Sequence, residues 1–175
     1  KMDLFKITKF SLLILFLLQG NLFSDNPHYL DFKYVLNQSE AGKKAQKSLK
    51  DQLTSGLKNI QEKEKKIQSE EEKIIKQKKV LSPEEYKKKV TELRKKVSSL
   101  QKERNTLLES VAKKRSKARQ ELLDNLNPIV KEYMKEKNIR MVLDKKNLLL
   151  ADEALDITKD IIKILNKNLK SIKLN

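Results

Sequence analysis

The stretch Val80-Leu81-Ser82-Pro83-Glu84-Glu85-Tyr86-Lys87-Lys88-Lys89 carries a helix-start signal inside a Lys/Glu-rich run that otherwise reads as continuous helix. Ser82 is a favoured N-cap type, and Pro83 has the fixed φ that suits a first helical residue. Glu85 completes a Ser-x-x-Glu capping box by reaching back to the Ser82 backbone N–H. A helix begins here, so an earlier one ends just before it, with the break near residues 80–83.

The sequence on either side says how the two helices meet. Upstream, Ser39 caps a helix that carries Glu40 in its first turn. Ala41, Ala45 and Leu49 lead into Leu53, Ile60, Ile67 and Ile74, one apolar residue every seven. The companion seam position is Leu57 at first and then Glu64 and Glu71, which predicts a loosely packed outer half. Downstream, Tyr86, Val90, Leu93, Val97, Leu100, Leu107 and Val111 advance by fours and threes once Arg104 is counted. That seam runs on through Lys114 and Ala118 to Leu122, Ile129 and Val130. Such heptads pair as a coiled coil, and a break of only a few residues folds the helices back antiparallel. The expectation is a hairpin arm over residues 39–137. At ~1.5 Å per residue its helices would run about 60 Å and about 80 Å.

Composition agrees with extended helices. Of 175 residues 37% are charged and 5% aromatic, with three Gly, three Pro and no Cys, so disulfides are excluded. The formal net charge is +16. Residues 39–79 carry 12 Lys/Arg against 7 Asp/Glu, and residues 83–137 carry 16 against 9, so the excess lies on the hairpin. At the N-terminus Lys6 and Lys9 precede the apolar run Phe10–Leu18, followed by Gln19-Gly20-Asn21 and Ser24. This pattern predicts a cleavable secretion signal over residues 1–24, because the run is about half the ~20 residues that span a bilayer.

The remaining segments predict a small β/α body, residues 25–38 and 138–175, into which the arm is inserted. Tyr29–Tyr34 alternates apolar and polar residues as one short strand does. Residues 139–144 and 147–151 look like a β-hairpin joined by Lys145-Lys146, and Asp156 starts an amphipathic final helix. The fold class is therefore mainly α with a small β body. A body that small buries little surface alone and leaves strand edges open, which argues for an oligomer. Leu30, Phe32, Ile139, Met141, Leu143, Leu148 and Leu150 are its candidate oligomerisation residues.

No constellation for catalysis is visible. Gly42-Lys43 has Asn37 where a phosphate loop needs its first Gly, and one His without Cys leaves no triad or zinc cluster. His28 is expected to be a solvated strand-end residue. The chain is expected to have no enzymatic activity, cofactor or metal. What stands out is basic clustering. Lys76, Lys78, Lys79, Lys87, Lys88 and Lys89 surround the break, and Lys113, Lys114, Arg115, Lys117 and Arg119 form a second block. The tip cluster has the chemistry to touch anionic lipid headgroups or lipopolysaccharide, although solvating a turn accounts for it equally well. For the second block, lining a cavity competes with plain solvation. With a pI near 9.8, nucleic-acid binding is an alternative. The secretion signal, the scarcity of aromatics and the lack of a reading module weigh against it. A structural cell-envelope spacer is a further alternative.

The order of the pieces resembles the OmpH/Skp family of periplasmic chaperones over essentially the whole chain after the signal. The residues that carry the resemblance are Val35–Ala45, the tip Leu81-Ser-Pro-Glu-Glu85, Ile139–Asp144, Asn147–Asp152 and Asp156-Ile-Thr158. The resemblance implies a homotrimer shaped like a jellyfish, in which strands from three subunits form a body and three helical arms enclose a cavity. It also implies an ATP-independent holdase in the periplasm, whose partners are unfolded outer-membrane proteins kept soluble between basic arms.

Overall fold

The computed structural model of the chain describes residues 26–174. The expected signal at residues 1–24 lies outside the described residues. Two helices dominate: α2, Glu40–Gln77, of 38 residues, and α3, Pro83–Glu136, of 54 residues. Before them come β1, His28–Leu30, and α1, Phe32–Gln38. After them come β2, Val142–Asp144, and α4, Thr158–Asn168. Two 3-10 turns, Lys145–Asn147 and Glu153–Leu155, separate β2 from α4.

The break at the tip forms as its residues dictate. The Ile75 carbonyl accepts from Lys78 N–H at 3.2 Å, and the Gln77 carbonyl accepts from both Val80 and Leu81 N–H at 3.0 Å, which closes α2. Ser82 Oγ accepts from the Glu85 N–H at 3.3 Å, while a Glu85 carboxylate oxygen accepts from the Ser82 N–H at 3.0 Å. Two otherwise orphaned donors of α3 are thereby satisfied. The helices then run back along each other. Ile60, Ile74, Leu93, Leu100, Val111, Ala118 and Leu122 are buried in the seam of the hairpin. Gly56 is part of the fit: a Cβ there would stand 2.6 Å from Leu107 Cδ2, so the leucine uses the space of the missing side chain.

At the other end α1 meets α2 through Ser39, which is buried and extended, with φ −60° and ψ 152°. Its Oγ accepts from Gly42 N–H at 3.1 Å. A Cβ on Gly42 would lie 1.8 Å from the Leu36 carbonyl oxygen, so only glycine permits this tight joint. The return of α3 to the base ends in a Schellman motif. Asn138 adopts φ 54°, and the Ile139 N–H reaches the Met134 carbonyl at 2.8 Å. Leu30, Val35, Leu126, Ile139, Ile157, Ile161 and Leu165 then form the core cluster of the base, flanked by Phe32, Tyr133, Met134 and Val142.

The base differs from the sequence expectation in three places. The strand expected over Tyr29–Tyr34 stops at Leu30, because the Asp31 carboxylate accepts from the Tyr34 N–H at 2.8 Å and starts α1. Phe32 therefore opens a helix and not a strand. The β-hairpin expected over residues 139–151 is not formed. Asp144 accepts from Lys146 N–H at 3.2 Å and winds the chain into a 3-10 turn, and β2 pairs in parallel with β1, His28 opposite Val142 and Leu30 opposite Asp144. Leu148 and Leu150 consequently belong to no strand. The last helix begins at Thr158 and not at Asp156, because the backbone at Asp156 bridges Tyr29 and the Ile157 N–H donates to the Tyr29 carbonyl at 3.0 Å.

Candidate functional site

Three surfaces are open to a partner: the flanks of the arm, its tip and the edge of the base. The arm is ordered by charge as well as by its seam. Lys89 donates to Gln77 at 3.2 Å, Lys96 pairs with Glu70 at 2.6 Å, and Lys63 pairs with Glu103 at 2.5 Å. Each pair stands one heptad further from the tip than the last, on one flank of the seam. Within the seam, Arg104 meets Glu64 at 3.3 Å, so the charged position expected to loosen the arm has its counter-ion across the hairpin. Glu71 remains exposed. Exposed pairs of this kind contribute roughly 0.2–1 kcal/mol each, enough to fix register more than to hold the arm together.

At the tip, Lys76, Lys78, Lys79, Lys87 and Lys88 are exposed and Lys89 is half-buried. Two of the six have structural work: Lys78 stands 5.8 Å from the centre of the Tyr86 ring, and Lys89 holds Gln77. Val80 is exposed among them. The second basic block is dispersed by the turn of α3. Lys114 lies in the seam, half-buried, donating to Gln52 at 3.1 Å. Lys113, Arg115, Lys117 and Arg119 are exposed around the helix, so residues contiguous in sequence do not form one patch.

The base separates the candidate oligomerisation residues into two groups. Leu30 and Ile139 are enclosed by the chain's own core, and Phe32, Leu143 and Leu148 are half-buried. Met141 and Leu150 are exposed, as is Leu149, which is 99% exposed and which sequence reasoning passed over. The run Leu148–Leu150 thus presents apolar side chains beside a two-stranded sheet, β1–β2, whose β2 edge has no further strand among the described residues.

Behind that edge, Asp156 ties three segments together. Its carboxylate accepts from the Thr158 N–H at 2.9 Å and from Lys145 Nζ at 3.3 Å, while Thr158 Oγ1 accepts from the Asp31 N–H at 3.0 Å. Lys145 also stands 5.6 Å from the centre of the Tyr29 ring. Partial burial disfavours the charged Asp156, but hydrogen bonds from Thr158 and Lys145 outweigh it and hold the carboxyl below its ordinary range. The hydrogen bond to Asp156, with the attraction between the two charges, raises Lys145 in turn. The sequence signal for this hub was the Asp-x-Thr spacing of a capping turn, but its partners, 11 and more residues away, were not legible.

Among the described residues no group of His, Cys, Asp or Glu is placed to hold a metal, and no helix is long and apolar enough to cross a membrane. The arrangement offers surfaces and charge.

Comparison with known proteins gives these surfaces a family. The model of the family described as outer membrane protein (OmpH-like) matches residues 28–165. Among solved structures, the chain is similar to a Caulobacter crescentus protein described as an OmpH-like outer membrane chaperone. The TM-score is 0.78 at 17% identity, over 85% of this chain and 89% of that one. At that identity the likeness is one of fold. No curated protein matches. The family match runs from β1 through both long helices into α4, and the chain belongs to the OmpH family.

Proposed function

We propose that this chain is a periplasmic holdase chaperone that keeps unfolded outer-membrane proteins from aggregating, without ATP. The observation that carries the reading is a wet, basic hairpin of 38- and 54-residue helices standing on a small base in a member of the OmpH family. A holdase needs reach and weak, distributed attraction. A cationic surface raises the local concentration of acidic chains without fixing a pose, and lysine stems offer methylene surface to apolar segments. The described name of the Caulobacter crescentus relative, an outer membrane chaperone, points the same way.

The division of labour follows. Residues 39–137 form the client-holding arm, and residues 25–38 and 138–175 form the oligomerisation body. Three chains join through the β2 edge and the Leu148–Leu150 run, placing three arms around a cavity in a jellyfish-like trimer. The unpaired apolar run supports this, since exposed strand-like edges beside a sheet are sites of pairing between chains. Residues 1–24 act as the secretion signal. The tip lysines, Lys76, Lys79, Lys87 and Lys88 above all, face anionic lipid or lipopolysaccharide.

The test uses the chain from Asp25 onward. Light scattering on a sizing column is expected to give a three-chain mass. Substoichiometric trimer is then expected to suppress the turbidity of an outer-membrane β-barrel protein diluted from urea, with no nucleotide present. Persistent turbidity at several-fold excess would refute the holdase reading. Retardation of an oligonucleotide with a steep salt dependence would favour the nucleic-acid alternative instead.

A further inference from the structure

The two flanks of the arm's seam are chemically unlike. One carries the row of contacts Gln77–Lys89, Glu70–Lys96 and Lys63–Glu103, so both helices are occupied with each other there. The repeat that places these residues at one edge of the seam places a different set at the opposite edge. On α2 that edge holds Thr54, Gln61, Gln68 and Ile75, one every seven residues. On α3 it holds Lys87, Arg94, Gln101, Leu108 and Arg115, again one every seven. The antiparallel register fixed by those contacts sets Ile75 between Lys87 and Arg94, and Gln61 between Gln101 and Leu108.

From Thr54 to Ile75 on α2 and from Lys87 to Arg115 on α3 this second flank contains no Asp or Glu, and its one lysine is Lys87 at the tip, although 37% of the chain is charged. All nine residues are exposed, including the large apolar Ile75 and Leu108. Arg94 and Arg115 make no ion pair among the described residues. Arg119 and Ala112 continue the same chemistry one row further round, so Arg94, Arg115 and Arg119, of the five arginines in the chain, gather on this side.

We infer that this flank, and not the arm surface as a whole, is the docking strip for a non-native polypeptide, taken up in extended form through its acidic and aromatic side chains. The inference rests on the holdase reading and assigns its contact residues. Three features of the strip select that occupant. Arginine is weakly hydrated, offers a planar fork to carboxylates and stacks on aromatic rings, whereas lysine is a compact, strongly hydrated charge. Without acidic residues, nothing on the strip competes for the guanidinium groups or repels an acidic client. Exposed Ile75 and Leu108 give apolar segments a place to rest, and Gln61, Gln68 and Gln101 offer backbone amides hydrogen-bonding partners. A phosphate backbone would use the arginines but not the apolar residues, and the lysine-rich rows elsewhere would serve it as well.

The test places a photo-crosslinking amino acid at Gln61 or Gln101 on the strip, and at Glu62 or Lys102 on the outer surface of the arm. The probe is a small outer-membrane β-barrel protein diluted from urea onto the full oligomer. Crosslinks are expected from Gln61 and Gln101, with little from Glu62 and Lys102. In parallel, Arg94→Gln with Arg115→Gln is expected to weaken retention of the probe roughly tenfold, the loss of about 1.4 kcal/mol. The charge-matched control Lys95→Gln with Lys102→Gln is expected to change it less than about twofold, as loss of a screened surface charge does. Equal crosslinking from both surfaces, or equal weakening by both pairs, would overturn the strip and leave the holdase reading standing. If the unaltered oligomer fails to retain the probe, both fall together. Crosslinking of an oligonucleotide at Gln61 and Gln101 in preference to the unfolded protein would overturn the assignment of the occupant.

Discussion

The base and the arm solve the problem of holding helices together in opposite ways. In the base, residues far apart in sequence, Leu30, Val35, Leu126, Ile161 and Leu165, are wholly enclosed around one point. In the arm, burial is thin and repeats every heptad, and Leu57, Ile67 and Leu107 stay half-exposed within the seam. The base gains stability from a few dense contacts, and the arm gains register from many weak ones. The difference teaches where each can be damaged: a deletion in the base affects the whole cluster, whereas one in the arm is confined to its own layer.

The largest expected effect tests that contrast directly. Ile161→Ala removes a fully buried side chain from the base core and is expected to cost about 2–5 kcal/mol, since the helices around it cannot collapse onto the gap. The same chemical change in the seam, Ile60→Ala, opens a site with solvent on both flanks and is expected to fall near ~2 kcal/mol, the lower end of that range. Urea denaturation of the two variants decides the matter. Equal losses would mean that the arm and the base unfold as one unit of uniform strength.

A smaller effect concerns the polar hub of the base. Asp156→Asn keeps an acceptor for the Thr158 N–H but removes the charge that Lys145 meets, and is expected to cost about 1–2 kcal/mol. The sign of its pH dependence follows from the lowered folded-state pKa of Asp156. Such a group contributes its stability above the ordinary Asp range and loses it as pH falls through the lowered value. Lys145, raised, loses its contribution only as pH climbs past the ordinary Lys range. The difference in stability between the parent and the Asn variant should therefore be flat through neutral pH and shrink on acidification below about 4. A difference that persists unchanged into strong acid would show that the hub does not depend on the carboxylate's charge.

The same contrast explains what could be read from the sequence. The arm was legible because its information is local: Ser82, Pro83 and Glu85 specify the break, and Leu53, Ile60, Ile67 and Ile74 specify the seam, whatever the rest of the chain does. The base was legible only as a mixture of strand and helix. Over residues 29–34 the same apolar positions serve a strand and the start of a helix, and the cap at Asp31 decided for helix after Leu30. Residues 139–144 read as half of a hairpin because residues 147–151 offered a nearby partner, but the actual partner of Val142–Asp144, β1, is more than a hundred residues away. The difference between the two flanks of the arm was hidden for another reason. Lysine and arginine count alike in net charge, and the separation of an ion-paired flank from an arginine-bearing one emerges only when Glu70, Lys96, Lys63 and Glu103 are seen to meet.

The smallest expected effect lies at the far end of the arm, where no core is available to mask it. Ser82→Ala removes the Oγ that caps α3 and leaves the Glu85 carboxylate with only the Ser82 backbone N–H to hold. Loss of such a cap costs about 1 kcal/mol. Because the tip is separated from the base by the whole length of α2, that loss should appear as local opening and not as a lower global stability. Hydrogen exchange should therefore speed up in the first turn of α3 and the last turn of α2, while amides around Val35 and Ile161 keep their protection. Acid should mimic the substitution. Hydrogen bonds from the Ser82 side chain and backbone hold Glu85 below its ordinary range, so its contribution is present at neutral pH and disappears as pH falls through the lowered value. If Ser82→Ala instead accelerates exchange throughout the base, the tip and base are one cooperative unit, and the division between a locally held arm and a densely packed base fails.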